Sequence, residues 1–190
     1  MKVICISGKA GAGKDTYAGY LAEELRSDGY KVLVVHYADL LKFVCKQFFD
    51  WDGNKDEHGR WLLQYVGTNV IREQNKDFWA QTLMCLLDYL EDFAQWDFVI
   101  IPDTRFQNEI DIVKEFCFPM LHIRVERPGT DANLTEVQRN HPSEVGLDNA
   151  IYDLIIENDG DLESLMESAI TTIVWMTGEH QLKMEEFYEF

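Results

Sequence analysis

Gly8, Gly13 and Lys14 stand in the order Gly-x4-Gly-Lys within "GKAGAGKDT", residues 8–16. Those residue types at that spacing suit one chemistry, the gripping of a polyphosphate. Glycines let the backbone curl so that successive N–H groups point inward at phosphate oxygens. A helix N-terminus adds partial positive charge, and a lysine supplies a mobile cation for the outer phosphates. Candidate contacts to a nucleoside triphosphate are Gly8, Ala10, Gly11, Ala12, Gly13, Lys14, Asp15 and Thr16. The residue after the lysine is Asp15, where such loops usually offer magnesium a hydroxyl; here the hydroxyl moves to Thr16. Two readings of Asp15 stay open. It faces the triphosphate through a cation, directly or through water, or it is an acidic residue favoured in the first turn of a helix.

A second constellation is "VIIPDTRF", which places Asp103 and Arg105 just past an apolar run. In open α/β sheets ligands bind at that edge. An acid there can hold magnesium's water shell or orient an attacking oxygen, and an arginine can grip phosphate in bidentate fashion. Arg124 and Arg127 precede the polar stretch 128–149 and Arg139 lies within it. That stretch reads as a lid that closes and brings an arginine to the transferring phosphate, ordered by His141 and Glu144. Lys14, Asp103, Arg105 and Arg139 are thus the candidate catalytic residues, and Asp15, Thr16 and Asp103 the candidates for magnesium.

These groups need a scaffold that brings loops to one edge. "KVICIS" (2–7) reads as a buried strand and "KDTYAGYLAEELRSDG" as a helix stopped by Gly29. "KVLVVHYA" (31–38) is a second strand, so the chain opens with one βαβ unit and a parallel sheet. A helix is expected over 39–50, a polar break over 50–59, then helices over 60–74 and 77–95, the latter with Leu83, Leu86, Leu87 and Leu90 on one face. Strands follow at 97–101, 120–127 and 152–159. "NEIDIVKEFC" and residues 162–177 are the remaining helices. The expectation is one α/β domain over 1–190, five parallel strands flanked by helices in three layers. An acidic, aromatic tail closes the chain.

Composition bounds the partners. The chain has 190 residues, 46% of them hydrophobic, which favours a folded core over disorder. Its formal net charge is −17, which opposes binding of a nucleic acid polymer but not of a small anion held by local cations. Lys14, Lys42, Arg72, Arg105, Arg124, Arg127 and Arg139 lie near the candidate motifs, out of 17 Lys and Arg in total. That placement supports a local positive cleft. Cys5, Cys45, Cys85 and Cys117 each sit in an apolar run and read as four buried thiols, without a zinc pattern or a disulfide framework. No apolar stretch is long enough to cross a bilayer and no signal peptide is seen, which points to a reduced, cytoplasmic protein without a membrane partner.

Several separated stretches resemble the deoxynucleoside monophosphate kinases of phages and bacteria: "SGKAGAGKDT", "YADLLK" (37–42), "LLQYVGTNVIRE…DFW" (62–79), "DTRFQNE" (103–109), "HPSE" (141–144) and "IIENDGDLESL" (155–165). The resemblance implies a P-loop NTPase fold and transfer of the γ-phosphoryl of ATP, with Mg2+, to a deoxynucleoside monophosphate. It makes 39–95 the helical acceptor-binding region. Asp39 and Lys42 would begin that region, Arg72 would bind the acceptor's phosphate, and Gln64 and Trp79 would face its base. For a phage-encoded chain the compartment would be the host cytoplasm. The aromatic tail is a candidate homodimer contact. Dephospho-CoA kinase is the alternative enzyme, sharing the loop and the ending, although "LLQYVGTNVIRE" and "DTRFQNE" fit the deoxynucleotide group better. An ATP-binding regulator is the alternative of another class; it would need the loop but neither Arg72 nor Arg105.

Overall fold

The computed structural model describes residues 1–54, 56–116, 118–130 and 136–178, with the backbone alone at 137 and 138. Five strands form one sheet: β1 (Lys2–Ser7), β2 (Val32–Val34), β3 (Phe98–Ile101), β4 (Met120–Glu126) and β5 (Leu154–Glu157). They pair in the order β2-β3-β1-β4-β5, and every pairing is parallel. β1 is central, with β3 and then β2 on one side of it and β4 and then β5 on the other, so the chain changes sides after β3 and a crevice opens beyond the carboxyl end of β1.

Helices cover both faces. They are α1 (Lys14–Ser27), α2 (Tyr37–Phe48), α3 (Glu57–Gln64), α4 (Phe78–Ala94), α5 (Gln107–Glu115), the short α6 (Glu136–Arg139) and α7 (Pro142–Val145), and α8 (Leu162–Thr177). The period-2 geometry of β1 divides its side chains. Ile4 and Ile6 pack with Tyr17, Leu21 and Leu25 of α1 and with Leu165, Ala169 and Ile173 of α8. Val3 and Cys5 pack on the opposite face with Ala80, Met84 and Leu87 of α4 and with Ile110 and Val113 of α5. The result is three layers. A smaller apolar cluster, Cys45, Trp51, Leu62 and Val66, holds the helical region between β2 and α4 together.

Several local expectations are corrected. β2 spans only Val32–Val34 because Asp39 accepts the His36 N–H at 3.0 Å, a reciprocal cap that turns the chain into α2 at Tyr37. The helix expected over 60–74 begins earlier, at Glu57, where Asp56 caps it by accepting from the Gly59 N–H at 2.7 Å. It then continues as a π-helical segment, Tyr65–Arg72. On α4 the buried residues are Trp79, Ala80, Met84 and Leu87, whereas Leu86 and Leu90 are exposed. Cys85 is exposed too, on the same outward side, so the expectation of four buried thiols fails there; Cys5 and Cys45 are buried, and Cys117 lies outside the described residues. The acidic tail beyond residue 178, with its proposed dimer contact, also lies outside them. Among the described residues no helix is long and apolar enough to cross a membrane.

Candidate active site

β1 ends at Ser7 and the chain turns through Gly8–Gly13 into α1. Two glycines are dictated by space as well as by backbone angle. Gly8 has φ +148°, and a Cβ there would stand 2.2 Å from the Val125 carbonyl oxygen of β4. Gly13 has φ +96°, and a Cβ would stand 2.5 Å from Asn158 Nδ2. Asn158, buried just after β5, donates that Nδ2–H to the Ala12 carbonyl at 2.8 Å and its own backbone N–H to Glu126 at 2.7 Å. The loop is thus clamped from a strand more than a hundred residues away in sequence. Lys14 lies in the loop's hollow and donates to the Lys9 carbonyl at 2.8 Å. Burial, reinforced by the Arg105 charge, brings its ammonium down to about 8. Asp15 and Thr16 are exposed on the first turn of α1, and Asp15 Oδ1 lies 3.2 Å from His36 Nε2.

Beside the loop is a cavity of about 540 Å³. Arg72, Arg105, Asp103 and Glu109 gather on its wall, and Gln64 and Trp79 line it as well. The π-helical segment brings Arg72 there: its wider turn alters the helical phase at the segment's end. Arg72 Nη2 donates to Glu109 Oε1 at 2.7 Å, and the guanidinium lies over the Phe106 ring, 3.8 Å from its centroid. Glu109 Oε2 accepts the Arg105 N–H at 2.7 Å and the Phe106 N–H at 3.1 Å. Burial raises this carboxyl to about 7. Asp103 accepts the Tyr37 N–H at 3.0 Å and the Ala38 N–H at 2.9 Å, one on each oxygen, and so ties the end of β3 to the start of α2. Burial holds its carboxyl above the ordinary range despite those two bonds.

Short helix α7 closes the cavity from the 128–149 stretch. Arg105 Nη1 donates to Glu144 Oε1, and also to the Ser143 carbonyl at 3.1 Å. The other Glu144 oxygen accepts the Ala10 N–H of the loop at 2.8 Å. Lys9 adds bonds of 2.8 Å each to the Glu144 carbonyl and to Asp148 Oδ2. His141 Nε2 lies 2.9 Å from Gln64 Nε2. A second cavity, about 450 Å³, lies on the other side of the loop, lined among others by Ala12, Arg124, Arg127, Thr130 and Asp159.

The structure therefore brings together Gln64, Arg72, Trp79, Asp103 and Arg105 around one cavity, and the loop is joined to it through Glu144, which lines the cavity and holds the Ala10 N–H. Trp79 is buried, and its indole N–H is already donated to the Gly67 carbonyl at 3.2 Å. Asp39 and Lys42 stand apart from the lining: they pair with each other at 2.7 Å, and Asp39 pairs with His36 at 3.2 Å. Arg139 is exposed on α6 and lines neither cavity. Glu109, Asn158, Lys9 and Asp148 emerge only from the structure. Among the described residues no three His, Cys, Asp or Glu side chains form a metal cage. The donors at the loop, Thr16 and Asp15, suit a magnesium ion brought in by phosphate oxygens and water, which is how this ion is usually bound.

A parallel sheet with a glycine loop leading into α1, a buried lysine in that loop and two arginines across the adjoining cavity define a phosphotransferase of the P-loop kinase class. Solved structures agree on the fold. The chain superposes on the APS kinase of Mycobacterium tuberculosis, solved with AMPPNP and APS, with TM-score 0.51 over 90% of this chain and 96% of that one, at 12% identity. A sugar kinase from a Janibacter species gives TM-score 0.50 over 90% and 93%, at 15% identity. The family is narrower than the class. Residues 37–169 match the family described as deoxynucleotide monophosphate kinase, and the chain belongs to it. A protein of Acanthamoeba polyphaga mimivirus assigned that activity by name is 29% identical, over 91% of this chain and 96% of its own length. The deoxynucleotide monophosphate kinases of phages T4 and RB69 are 34% and 30% identical over 60% and 56% of this chain, which span 44% and 41% of those longer proteins.

Proposed function

We propose that the chain moves the γ-phosphoryl of ATP to a deoxynucleoside monophosphate, with both nucleotides seated at once on the two sides of Glu144. The observation that carries this reading is the position of that residue. Glu144 lines the larger cavity and also holds the Ala10 N–H of the loop. Loop and cavity therefore meet at one shared side chain, which supports two neighbouring phosphate sites between which direct transfer can occur.

The loop amides and Lys14 hold the triphosphate, and the second cavity, which touches the loop at Lys9 and Ala12, receives its adenosine. Arg72 and Arg105 hold the acceptor's phosphate, with the sugar and base extending towards Leu41, Leu63 and Gln64. Two anions must approach each other, so cations and positioning do most of the work. Thr16 and Asp15 are the residues that would hold magnesium, together with Asp103, whose oxygens each accept a backbone N–H. When bound, magnesium would supply charge neutralisation for the transferred group. Arg105, half-exposed at the shared wall, stabilises the charge on the group in flight. In the expected 128–149 lid, Glu144 and Asp148 tie its later part to the loop, while residues 131–135 lie outside the described residues.

The test is an acceptor screen with ATP, magnesium and each of dTMP, dGMP, dCMP and dAMP. ADP and the matching diphosphate are expected with at least one of them. ADP formed without an acceptor, or only with dephospho-CoA, contradicts the reading.

A further inference from the structure

Glu109 is a buried carboxylate, 4% exposed, at the N-terminus of α5 and on the wall of the larger cavity. Its two oxygens have separate duties. Oε1 takes the Arg72 guanidinium at 2.7 Å, and Oε2 takes the Arg105 and Phe106 backbone N–H groups at 2.7 and 3.1 Å. The Phe106 ring, whose backbone this carboxylate anchors, is the surface on which the Arg72 guanidinium is stacked. Arg72 is thereby fixed at its tip by Glu109 and across its plane by Phe106. The chain entering Arg105 is fixed by the same group.

We infer that Glu109 is the positioning residue of the acceptor site: one buried carboxylate aims Arg72 directly and Arg105 through its backbone at the acceptor's phosphate. This rests on the reading of the larger cavity as the acceptor site. A helix cap alone explains Oε2 but not Oε1. A buried carboxylate without a cationic partner is costly, and a neutral acceptor would cap α5 as well. The charge is needed only where it faces Arg72. Asp103 after β3, Tyr37 on α2 and Cys5 on β1 also interact with it, and none of these three is a cation.

Glu109→Gln separates the two duties. The amide oxygen still accepts the two backbone N–H groups, but the amide NH2 then faces the Arg72 guanidinium, donor against donor. The experiment measures KM for each substrate and the thermal melt in wild type, Glu109→Gln, Arg72→Ala and the double variant, using the fastest of the four deoxynucleoside monophosphates. Glu109→Gln is expected to melt cooperatively and keep the ATP KM, while the acceptor KM rises about tenfold or more. The double variant should be no worse than Arg72→Ala, the non-additivity of a residue that acts through another. A wild-type acceptor KM in Glu109→Gln, with a raised one in Arg72→Ala, overturns the inference and leaves the acceptor site standing. Wild-type acceptor KM in both variants overturns the site as well. Loss of the cooperative melt in Glu109→Gln, or equal losses for both substrates, assigns Glu109 to the fold and also overturns the inference.

Discussion

Glu144 and Arg105 form an ion pair across the mouth of the larger cavity, and the same carboxylate holds the Ala10 N–H of the loop at 2.8 Å. The Glu144 side chain is 10% exposed, so the pair is shielded and counts for more than a surface bridge. Glu144→Ala should release both partners. Arg105 loses its anchor, and the loop amide gains freedom to meet phosphate. The expected outcome is a fall in kcat of about ten- to a hundredfold, with the ATP dissociation constant unchanged or lower. Steady-state kinetics with a nucleotide-binding titration checks both halves.

Lys14 gives a pH signature. Buried beside Arg105, its ammonium titrates near 8 rather than at the usual 10.5. Its charge is present below that value and lost as pH rises through it. ATP affinity should therefore weaken as pH is raised from about 7 to about 9, and titration of Lys14→Met by ATP should show no such limb. Lys14→Ala should lower phosphoryl transfer by several orders of magnitude in a single-turnover assay.

Arg72→Ala should raise the acceptor KM by about tenfold or more and leave the ATP KM alone, because its guanidinium is on the cavity wall and not at the loop. Initial rates at varied concentrations of each substrate decide this.

The loop clamp can be tested through stability. Asn158→Ala removes a buried donor from the Ala12 carbonyl, a loss of about 1–3 kcal/mol. Gly13→Ala places a methyl group against Asn158 Nδ2 at positive φ. It should cost stability and weaken ATP binding together. Denaturant unfolding with an ATP titration measures both.

The loop was legible from residue types alone because its function is local: two glycines, a lysine and a strand before them. β1 as a buried strand and the position of "PDTRF" after β3 were legible for the same reason. The contacts that assemble the site were not. Glu144 reaches Ala10 over 134 positions, and no pattern in "HPSE" says where the carboxylate goes. Glu109 reads as an ordinary first-turn acid of a surface helix; only tertiary packing, with the Arg72 side chain brought against it, buries it. The π-helical segment itself is hidden because its apolar residues satisfy an α-helical period equally well. On α4 apolar residues occur all round, so spacing alone could not tell the buried Leu87 from the exposed Leu86.

Glu109 also couples charge to stability. Its carboxyl titrates near 7 in the folded chain against 4.5 ordinarily, so the folded state holds the extra proton between those values. Its contribution is greatest below 4.5 and is lost as pH rises through about 7. Glu109→Gln lacks that term. Its stability relative to wild type should thus increase between pH 5 and pH 8, as measured by urea unfolding at each pH. A difference independent of pH would contradict the assignment.

The most direct measurement is a crystal structure with a non-hydrolysable ATP analogue and a deoxynucleoside monophosphate bound together. The account predicts the triphosphate in the Gly8–Thr16 loop with Lys14 on its outer phosphates. It predicts the monophosphate on Arg72 and Arg105, with the attacking oxygen about 3–3.5 Å from the γ-phosphorus and in line with the bond to be broken. A loop without phosphate, or two nucleotides held too far apart for in-line attack, would contradict it.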